Sequence, residues 1–213
     1  MQKQTSSQSS LAEITINQAI IAIKTDLPLD LCSALMDQYS PLANEDATVK
    51  FWKDNDSKCD QGESIARKTK IHWIPQQQWV GGMIQYYIDN INSQYFKYDL
   101  TEISGGHLQY SVYAKGGHYD WHNDEPRSLY YVTQQNSLIR KLSFSLQLSD
   151  SEDYEGGDLV FQSGTYEEPE EVVQPRGRGT LVVFDSRQMH KVTPVTSGVR
   201  HSLVGWIKGP VWK

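Results

Sequence analysis

The chain has 213 residues, of which 38% are hydrophobic and 22% are charged, and its formal net charge is −6. This composition is typical of a folded globular protein and excludes a largely disordered one. The net negative charge disfavours a nucleic-acid backbone as the main partner. The two cysteines, Cys32 and Cys59, form no CxxC pattern, which favours a reducing compartment.

The length predicts one well-buried domain. Residues 1–11 are rich in Gln and Ser and predict a disordered leader without the apolar run of a signal peptide. Residues 12–97 are expected to form a supporting region of helices and strands, and residues 98–213 to form the β core. No segment approaches the roughly 20 apolar residues of a membrane span. We therefore expect a cytoplasmic protein that binds neither membrane nor nucleic acid.

The first half of the chain predicts helices, strands and one long loop. Residues 14–23 are rich in isoleucine and favour a strand, although the pattern leaves a helix open. Asp26 precedes apolar positions and predicts the start of a helix. The polar residues 40–64 predict a mobile loop, and loops of that length often act as lids. Residues 68–74 alternate as in a strand, and residues 76–91 carry an amphipathic helical stripe.

The second half is a series of short segments with β propensity, separated by Gly, Asp, Asn and Pro. The predicted strands are 107–113, 118–122, 141–148, 158–162, 171–174, 180–185, 190–195 and 201–207. Eight short strands with turn signals favour a sandwich or barrel. The predicted architecture is an all-β core with the preceding helices covering one of its sheets.

A candidate metal site lies in the segment that contains His122 and Asp124. On an extended strand these residues, at i and i+2, point to the same face, so an imidazole and a carboxylate can converge on one cation. His190 follows the apolar run at 181–184 and is the best third ligand. Two histidines and one carboxylate form a facial triad that leaves three adjacent coordination positions open.

Arg200 begins a predicted strand ten residues after His190. By the period of two it shares a face with Ser202, Val204 and Trp206. A guanidinium buried in a barrel needs an anionic partner, and a dicarboxylate would bind it through two parallel hydrogen bonds. Ser202 would add a hydroxyl donor beside it.

The strand predicted at 141–148 has two different faces. Ser143, Ser145 and Gln147 form a polar face that we expect to point into the barrel. Leu142, Phe144, Leu146 and Leu148 alternate with them and should pack under the N-terminal helices.

Residues 98–208 resemble the prolyl-4-hydroxylase-type branch of the 2-oxoglutarate/Fe(II) oxygenases. The motif Y-x-x-G-x-x-Y-x-x-H-x-D is met by Tyr113, Gly116, Tyr119, His122 and Asp124. The later motifs are met by Glu155-Gly156-Gly157-Asp158-Leu159, by Phe184-Asp-Ser-Arg187-x-x-His190-x-Val192 and by Arg200-x-Ser202-x-x-x-Trp206. The resemblance implies a double-stranded β-helix (jelly roll) with helices packed on the major sheet.

The resemblance also implies roles for individual residues. His122, Asp124 and His190 would bind Fe(II), and Arg200 would hold the distal carboxylate of 2-oxoglutarate with help from Ser202. Further cosubstrate contacts would come from Tyr113 on the neighbouring strand and from Gln147, which stands where relatives often carry Tyr or Phe. Trp121 and Arg187, which flank the metal ligands, are placed to meet a substrate.

The implied reaction uses Fe(II), 2-oxoglutarate and O2, with ascorbate as a reductant. It couples decarboxylation of 2-oxoglutarate to succinate with hydroxylation of an unactivated C–H bond. A carboxylate at Asp124 favours hydroxylation, because related halogenases need a small residue there. Trp206 disfavours the nucleic-acid demethylase branch, which carries a second arginine at this position.

The resemblance favours a prolyl residue in a peptide or protein as the substrate. Free proline or another small molecule stays open as an alternative. Two rivals from other classes are a non-catalytic jelly-roll binding module and a cupin metalloenzyme that does not use 2-oxoglutarate. The binding module has no need of the triad, and the cupin has no use for Arg200.

Overall fold

The computed structural model describes residues 13–17, 19–47, 66–125, 138–164 and 167–212. The predicted leader at 1–11 and most of the predicted loop at 40–64 lie outside these residues. The helices are α1 (Leu29–Tyr39) and α2 (Trp79–Ile91). The strands are β1 (Glu13–Asn17), β2 (Ile20–Lys24), β3 (Glu45–Asp46), β4 (Arg67–Lys68), β5 (Lys70–Pro75), β6 (Glu102–Ile103), β7 (His107–Tyr113), β8 (His118–His122), β9 (Leu138–Gln147), β10 (Tyr154–Gly156), β11 (Leu159–Gly164), β12 (Pro169–Val173), β13 (Thr180–Asp185), β14 (His190–Val192), β15 (Val195–Gly198) and β16 (Arg200–Pro210). Neither α1 nor α2 is long and apolar enough to cross a membrane.

Within the described residues the strands form two facing sheets and a small ribbon. The major sheet has the order β1-β2-β13-β9-β16-β7-β5-β3, with β6 also paired to β16. The minor sheet has the order β12-β11-β14-β8-β4, and β10 pairs with β15 in the ribbon. An apolar cluster joins the sheets through Phe161 of β11 and Phe184 of β13. This is the predicted double-stranded β-helix.

The major sheet carries different residues on its two faces. Its outer face packs under α1 and α2, where Leu142, Phe144 and Leu146 are buried with Leu35 and Ile88 of the helices. Burial of one such side chain stabilises the fold by about 1.5–3 kcal/mol. Its inner face at β9 carries three buried polar residues, Ser143, Ser145 and Gln147. Both faces of β9 are therefore as predicted, and the polar face lines the interior.

One strand was predicted too long and another was missed. The strand expected at 190–195 is wrong, because β14 ends at Val192 and β15 begins at Val195 in a different sheet. Pro194 separates them, since it has no N–H to donate to a ladder, and its carbonyl accepts a bond from the Gly157 N–H at 3.2 Å. The three-residue strand β10 ends in Gly156 and has no alternating pattern to predict it.

The N-terminal elements also differ in their bounds. Residues 14–23 contain two paired strands, β1 and β2, rather than one element. Helix α1 begins at Leu29, three residues after the predicted start, and Asp26 does not cap it. Asp26 accepts a 2.6 Å hydrogen bond from the Tyr87 hydroxyl of α2 instead. In the segment predicted as a loop at 40–64, residues 40–42 form a short 3-10 helix and β3 pairs with β5.

Candidate metal and cosubstrate site

Three potential metal ligands converge at one end of the barrel interior. The ligand atoms of His122, Asp124 and His190 all lie within 4.8 Å of one another. The Asp124 carboxylate is 3.8 Å from Nε2 of His122 and 3.5 Å from Nε2 of His190. His122 of β8 and His190 of β14 are direct partners in the register of the minor sheet. Strand pairing therefore brings together the imidazoles that the sequence separates by 68 positions.

Backbone carbonyls orient both imidazole rings toward the same point. Nδ1 of His122 donates to the carbonyl of Asp120 at 2.7 Å, and Nδ1 of His190 donates to that of Gln188 at 2.9 Å. Each bond places the ring proton on Nδ1 and leaves the lone pair of Nε2 for a metal. The donor set of two imidazoles and one carboxylate fits Fe(II).

The charges at the triad also suit a cation. Burial, together with the neighbouring His190, lowers the pKa of His122 to about 4, so this ring is neutral at pH 7. Burial would raise the pKa of Asp124, but the nearby His190, His122 and Arg140 outweigh it and lower that pKa. The triad therefore presents an anionic carboxylate beside a neutral imidazole, the forms in which these groups bind metals.

The low pKa of His122 predicts that the metal-free protein loses stability in mild acid. Between pH about 6.5 and about 4 the unfolded chain binds a proton that the folded His122 does not. The free energy of unfolding should therefore fall with pH across this window, by up to about 3 kcal/mol. Urea unfolding in chelator at pH 7 and pH 4.5 measures the change, and His122→Phe should reduce it. If His122→Phe lost as much stability in acid as the wild type, the loss could not be assigned to the low pKa of His122.

Arg200 lies on the major sheet with only 1% of its surface exposed. Its Nη2 donates to Oε1 of Gln147 at 2.9 Å and its Nη1 to Oγ of Ser202 at 3.4 Å, and its Nε has no hydrogen-bond partner among the residues that the structure describes. The Tyr113 ring is 5.3 Å from the guanidinium carbon. Among the described residues no carboxylate forms a salt bridge with Arg200. A buried, unpaired guanidinium fits the distal carboxylate of 2-oxoglutarate.

One cavity between the two sheets contains the triad and the arginine together. Its polar lining includes Arg200, Ser202 and Tyr113. Its apolar walls are formed by Leu159, Phe184, Val192, Val204 and Trp206. The structure therefore brings six predicted site residues to one space, with Gln147 behind them as a partner of Arg200.

Two consecutive glycines let the chain pass close to Arg200. Gly156 has φ +68° and Gly157 has φ +64°, a region that side chains rarely adopt. A Cβ on Gly156 would lie 2.1 Å from the Pro194 carbonyl oxygen. A Cβ on Gly157 would lie 2.8 Å from Cγ2 of Val195 and 3.2 Å from Cδ of Arg200. The glycines therefore leave room for the stem of the arginine.

Trp121 does not line this cavity. Asp120 and Trp121 of β8 together oppose one residue of β14, Lys191, which is the pattern of a β-bulge. The bulge places Tyr119 and His122 on the same inner face, where their rings stack at 3.5 Å. The Trp121 ring instead lies 4.4 Å from the ammonium nitrogen of Lys191.

Arg187, the other side chain predicted to meet a substrate, is also absent from the cavity lining. Its guanidinium forms a 2.6 Å salt bridge with Asp185 and lies 4.3 Å from the Trp212 ring. Half of the side chain is exposed. Arg187 therefore belongs to the turn that precedes His190, with its side chain outside the cavity.

Arg140 is a site residue that the sequence did not reveal. Its guanidinium lies 4.2 Å from the Trp206 ring, and Nη1 donates to the Asp124 carbonyl at 3.3 Å. The register of β9 against β16 shifts by one residue at Lys141. This bulge turns Arg140 to the inner face, because an extra residue reverses strand alternation. No sequence signal marks it.

The comparisons with known proteins agree with this geometry. Residues 108–208 match the sequence model of the 2OG-Fe(II) oxygenase superfamily. This part of the chain, a little under half of it, is therefore similar to a 2OG-Fe(II) oxygenase domain, as the motifs implied. A PKHD-type hydroxylase of Synechococcus sp. (strain CC9605) is 42% identical over 98 residues, which are 46% of this chain and 40% of that relative. The chain spans about two fifths of the length of the curated relatives that it matches.

Two solved structures share the fold over almost the whole chain. A Pseudomonas putida prolyl-4-hydroxylase aligns with a TM-score of 0.64 and 22% identity, over 91% of this chain and 94% of that one. A Trichoplax adhaerens prolyl hydroxylase, in complex with a peptide fragment of hypoxia inducible factor, aligns with a TM-score of 0.64 and 17% identity, over 90% of this chain and 84% of that one. At these identities the likeness establishes the double-stranded β-helix fold.

Proposed function

We propose that the protein is an Fe(II)- and 2-oxoglutarate-dependent dioxygenase that hydroxylates a prolyl residue of a peptide or protein. The single observation that carries the proposal is the shared cavity of the triad and Arg200. A metal site alone is compatible with many reactions, and a buried arginine alone occurs in many folds. Their combination suits one molecule that chelates a metal at one end and carries a carboxylate at the other.

Each residue of the site has a defined task in this proposal. When bound, iron, 2-oxoglutarate and O2 together supply the oxidising chemistry, which yields succinate, CO2 and a hydroxylated C–H bond. His122, Asp124 and His190 would hold the metal. Arg200 would bind the distal carboxylate of the cosubstrate and so fix its orientation. Ascorbate as a reductant stays a prediction.

Gln147 and Ser202 prepare Arg200 for this task. They bind the two terminal nitrogens of the guanidinium from the neighbouring positions of β9 and β16. Because these partners are neutral, the positive charge stays available for an anion. The apolar walls of the cavity exclude water, which strengthens the interaction between charge and carboxylate.

A groove beside the cavity supports a peptide substrate. It is lined by Trp73, Trp206, His107 and Arg140, and Trp206 also lines the cavity. Proline-rich segments dock into grooves lined by aromatic rings, and Arg140 has further N–H groups for a peptide carbonyl. Two solved structures with this fold are prolyl hydroxylases, one of them with a bound peptide.

A free amino acid is the second candidate, and Arg67 is the observation that favours it. Arg67 of β4 lines the same cavity, and its guanidinium lies 4.5 Å from the Tyr119 ring. The carboxylate of a free amino acid would find a cation there. The non-catalytic binding module and the cupin enzyme are weaker hypotheses, because neither explains why Arg200 lines the same cavity as a complete triad.

The proposal is tested first by anaerobic titration of the wild-type protein with Fe(II) and 2-oxoglutarate. We expect the weak visible charge-transfer band of the chelate, followed by succinate release when O2 and a substrate are added. A protein that binds Fe(II) and gives no band with 2-oxoglutarate would contradict the proposal.

Two variants then separate the substrate classes. Trp73→Ala removes an aromatic wall of the groove without touching the triad, and Arg67→Ala removes a cation of the cavity other than Arg200. For a peptide substrate, Trp73→Ala should raise KM for proline-containing peptides by about 10-fold at unchanged chelate absorption. For a free amino acid, Arg67→Ala should raise KM for free proline instead. Steady-state assays of both variants with both substrates decide between them.

A further inference from the structure

The turn at residues 185–188 contacts two of the three metal ligands. It connects β13 to β14, and Ser186 within it is completely buried. The Ser186 carbonyl accepts a 2.9 Å hydrogen bond from the backbone N–H of Asp124. The Gln188 carbonyl accepts the 2.9 Å bond from Nδ1 of His190. The third ligand is held by a carbonyl of its own strand, so the turn is the common support of the other two.

Asp185 holds the turn in shape. Its carboxylate accepts bonds from Nε of Arg187 at 2.9 Å, Nη2 of Arg187 at 2.6 Å, the backbone N–H of Arg187 at 2.9 Å and the Tyr98 hydroxyl at 2.7 Å. Only 3% of Asp185 is exposed. Burial would raise the pKa of Asp185, but the hydrogen bonds from Arg187 outweigh it, and the pKa is lowered. A buried, fully bonded carboxylate of this kind fixes the backbone around it.

Arg187 is itself held from its other side by an aromatic ring near the end of the chain. The Trp212 ring lies 4.3 Å from the guanidinium of Arg187 and 3.5 Å from the ammonium nitrogen of Lys141. The edge of the Tyr98 ring packs against the same tryptophan, with centroids 4.8 Å apart. The arginine therefore lies between the turn and Trp212, away from the residues that line the cavity.

We infer that Arg187 is a positioning residue for the metal site, acting through Asp185 on the turn that supports Asp124 and His190. This inference rests on the proposed function for its assignment of the metal ligands. It gives Arg187 a role in place of the substrate contact predicted from sequence. Partners of this kind behind metal ligands typically change metal affinity by 10- to 100-fold when they are removed.

The test is a titration of the metal-free protein with Co(II), followed by absorption, for wild type, Arg187→Ala and Arg187→Lys. We expect Arg187→Ala to weaken Co(II) binding by at least about 10-fold. Arg187→Lys keeps the charge without the paired donors and should recover part of this loss. Lys70→Ala is the matched control, because Lys70 is 48% exposed against 50% for Arg187 and forms a 2.8 Å salt bridge with Asp46 away from the turn. It should bind Co(II) as the wild type does.

Urea unfolding of the same metal-free variants separates positioning from a purely structural role. If Arg187→Ala unfolds at lower urea but binds Co(II) with wild-type affinity, the inference is overturned. If Arg187→Ala does not fold, Arg187→Lys decides, and wild-type Co(II) affinity in that variant overturns the inference. Adding 2-oxoglutarate to the wild-type Co(II) protein tests the proposed function separately. An unchanged spectrum there would remove the proposed function and leave the support of the metal ligands standing.

Discussion

Replacing Arg200 with leucine should abolish tight binding of 2-oxoglutarate while leaving the ligand-free fold intact. Removing one partner of a buried charge pair costs about 2–5 kcal/mol, which corresponds to at least about 30-fold in the dissociation constant. In the free protein, the guanidinium hydrogen-bonds, among the described residues, only with the neutral Gln147 and Ser202. Its loss should therefore leave the free energy of unfolding unchanged or raise it, because burying an unpaired charge is unfavourable.

Calorimetric titration with 2-oxoglutarate and urea unfolding measure the two effects of Arg200→Leu separately. Arg178→Leu is the matched control, since Arg178 is also largely buried but lies 3.4 Å from Asp150 and 3.8 Å from Asp153. That variant should lose stability and keep its affinity for 2-oxoglutarate. Wild-type affinity in Arg200→Leu would rule out the assigned cosubstrate anchor.

Asp124→Asn should remove metal binding with little change of fold. The substitution keeps the size of the side chain and the backbone N–H that bonds Ser186. It removes the single anionic ligand of the triad, and two imidazoles with an amide are a poor set for Fe(II). We expect the dissociation constant for Fe(II) to rise by about 100-fold or more, and turnover to fall accordingly.

Asp120→Asn provides the comparison for this variant, because Asp120 lies on β8 with His122 and binds the His122 ring through its backbone carbonyl. Its side chain accepts a bond from the N–H of Trp121 instead. Anaerobic Fe(II) titration of both variants should show loss of binding in Asp124→Asn alone. Equal affinities would mean that Asp124 is not a ligand.

Strand alternation predicted the major parts of the site from sequence. It placed Arg200 with Ser202 on one face of β16 and turned Gln147 inward on β9. These predictions were correct because side chains alternate between the two faces of a strand whichever strand pairs with it. The pairing of His122 with His190 could be proposed from residue type, but its register depends on how β8 and β14 meet across the minor sheet.

The failures occurred where an extra residue interrupts a strand. The bulge at Asp120 and Trp121 turned the tryptophan away from the cavity, and the bulge at Lys141 turned Arg140 to the inner face, where it lines the adjacent groove. A bulge depends on contacts with the neighbouring strand and leaves no regular trace in composition. The sequence did not indicate the role that we infer for Arg187 for a similar reason, because its partner Trp212 lies 25 positions away in sequence and is brought to it by the tertiary fold.

The proposed metal ligands and the proposed cosubstrate anchor belong to different sheets. His122 and His190 lie on the minor sheet, whereas Arg200 lies on the major sheet opposite them. A molecule bound to the metal at one end and to Arg200 at the other would link the two sheets for as long as it stays bound. Ligands that bind only the folded form stabilise it by mass action. Here they would in particular oppose separation of the major sheet from the minor sheet. The concentrations of metal and cosubstrate would then determine how often the two sheets separate, as well as whether the protein can catalyse the reaction.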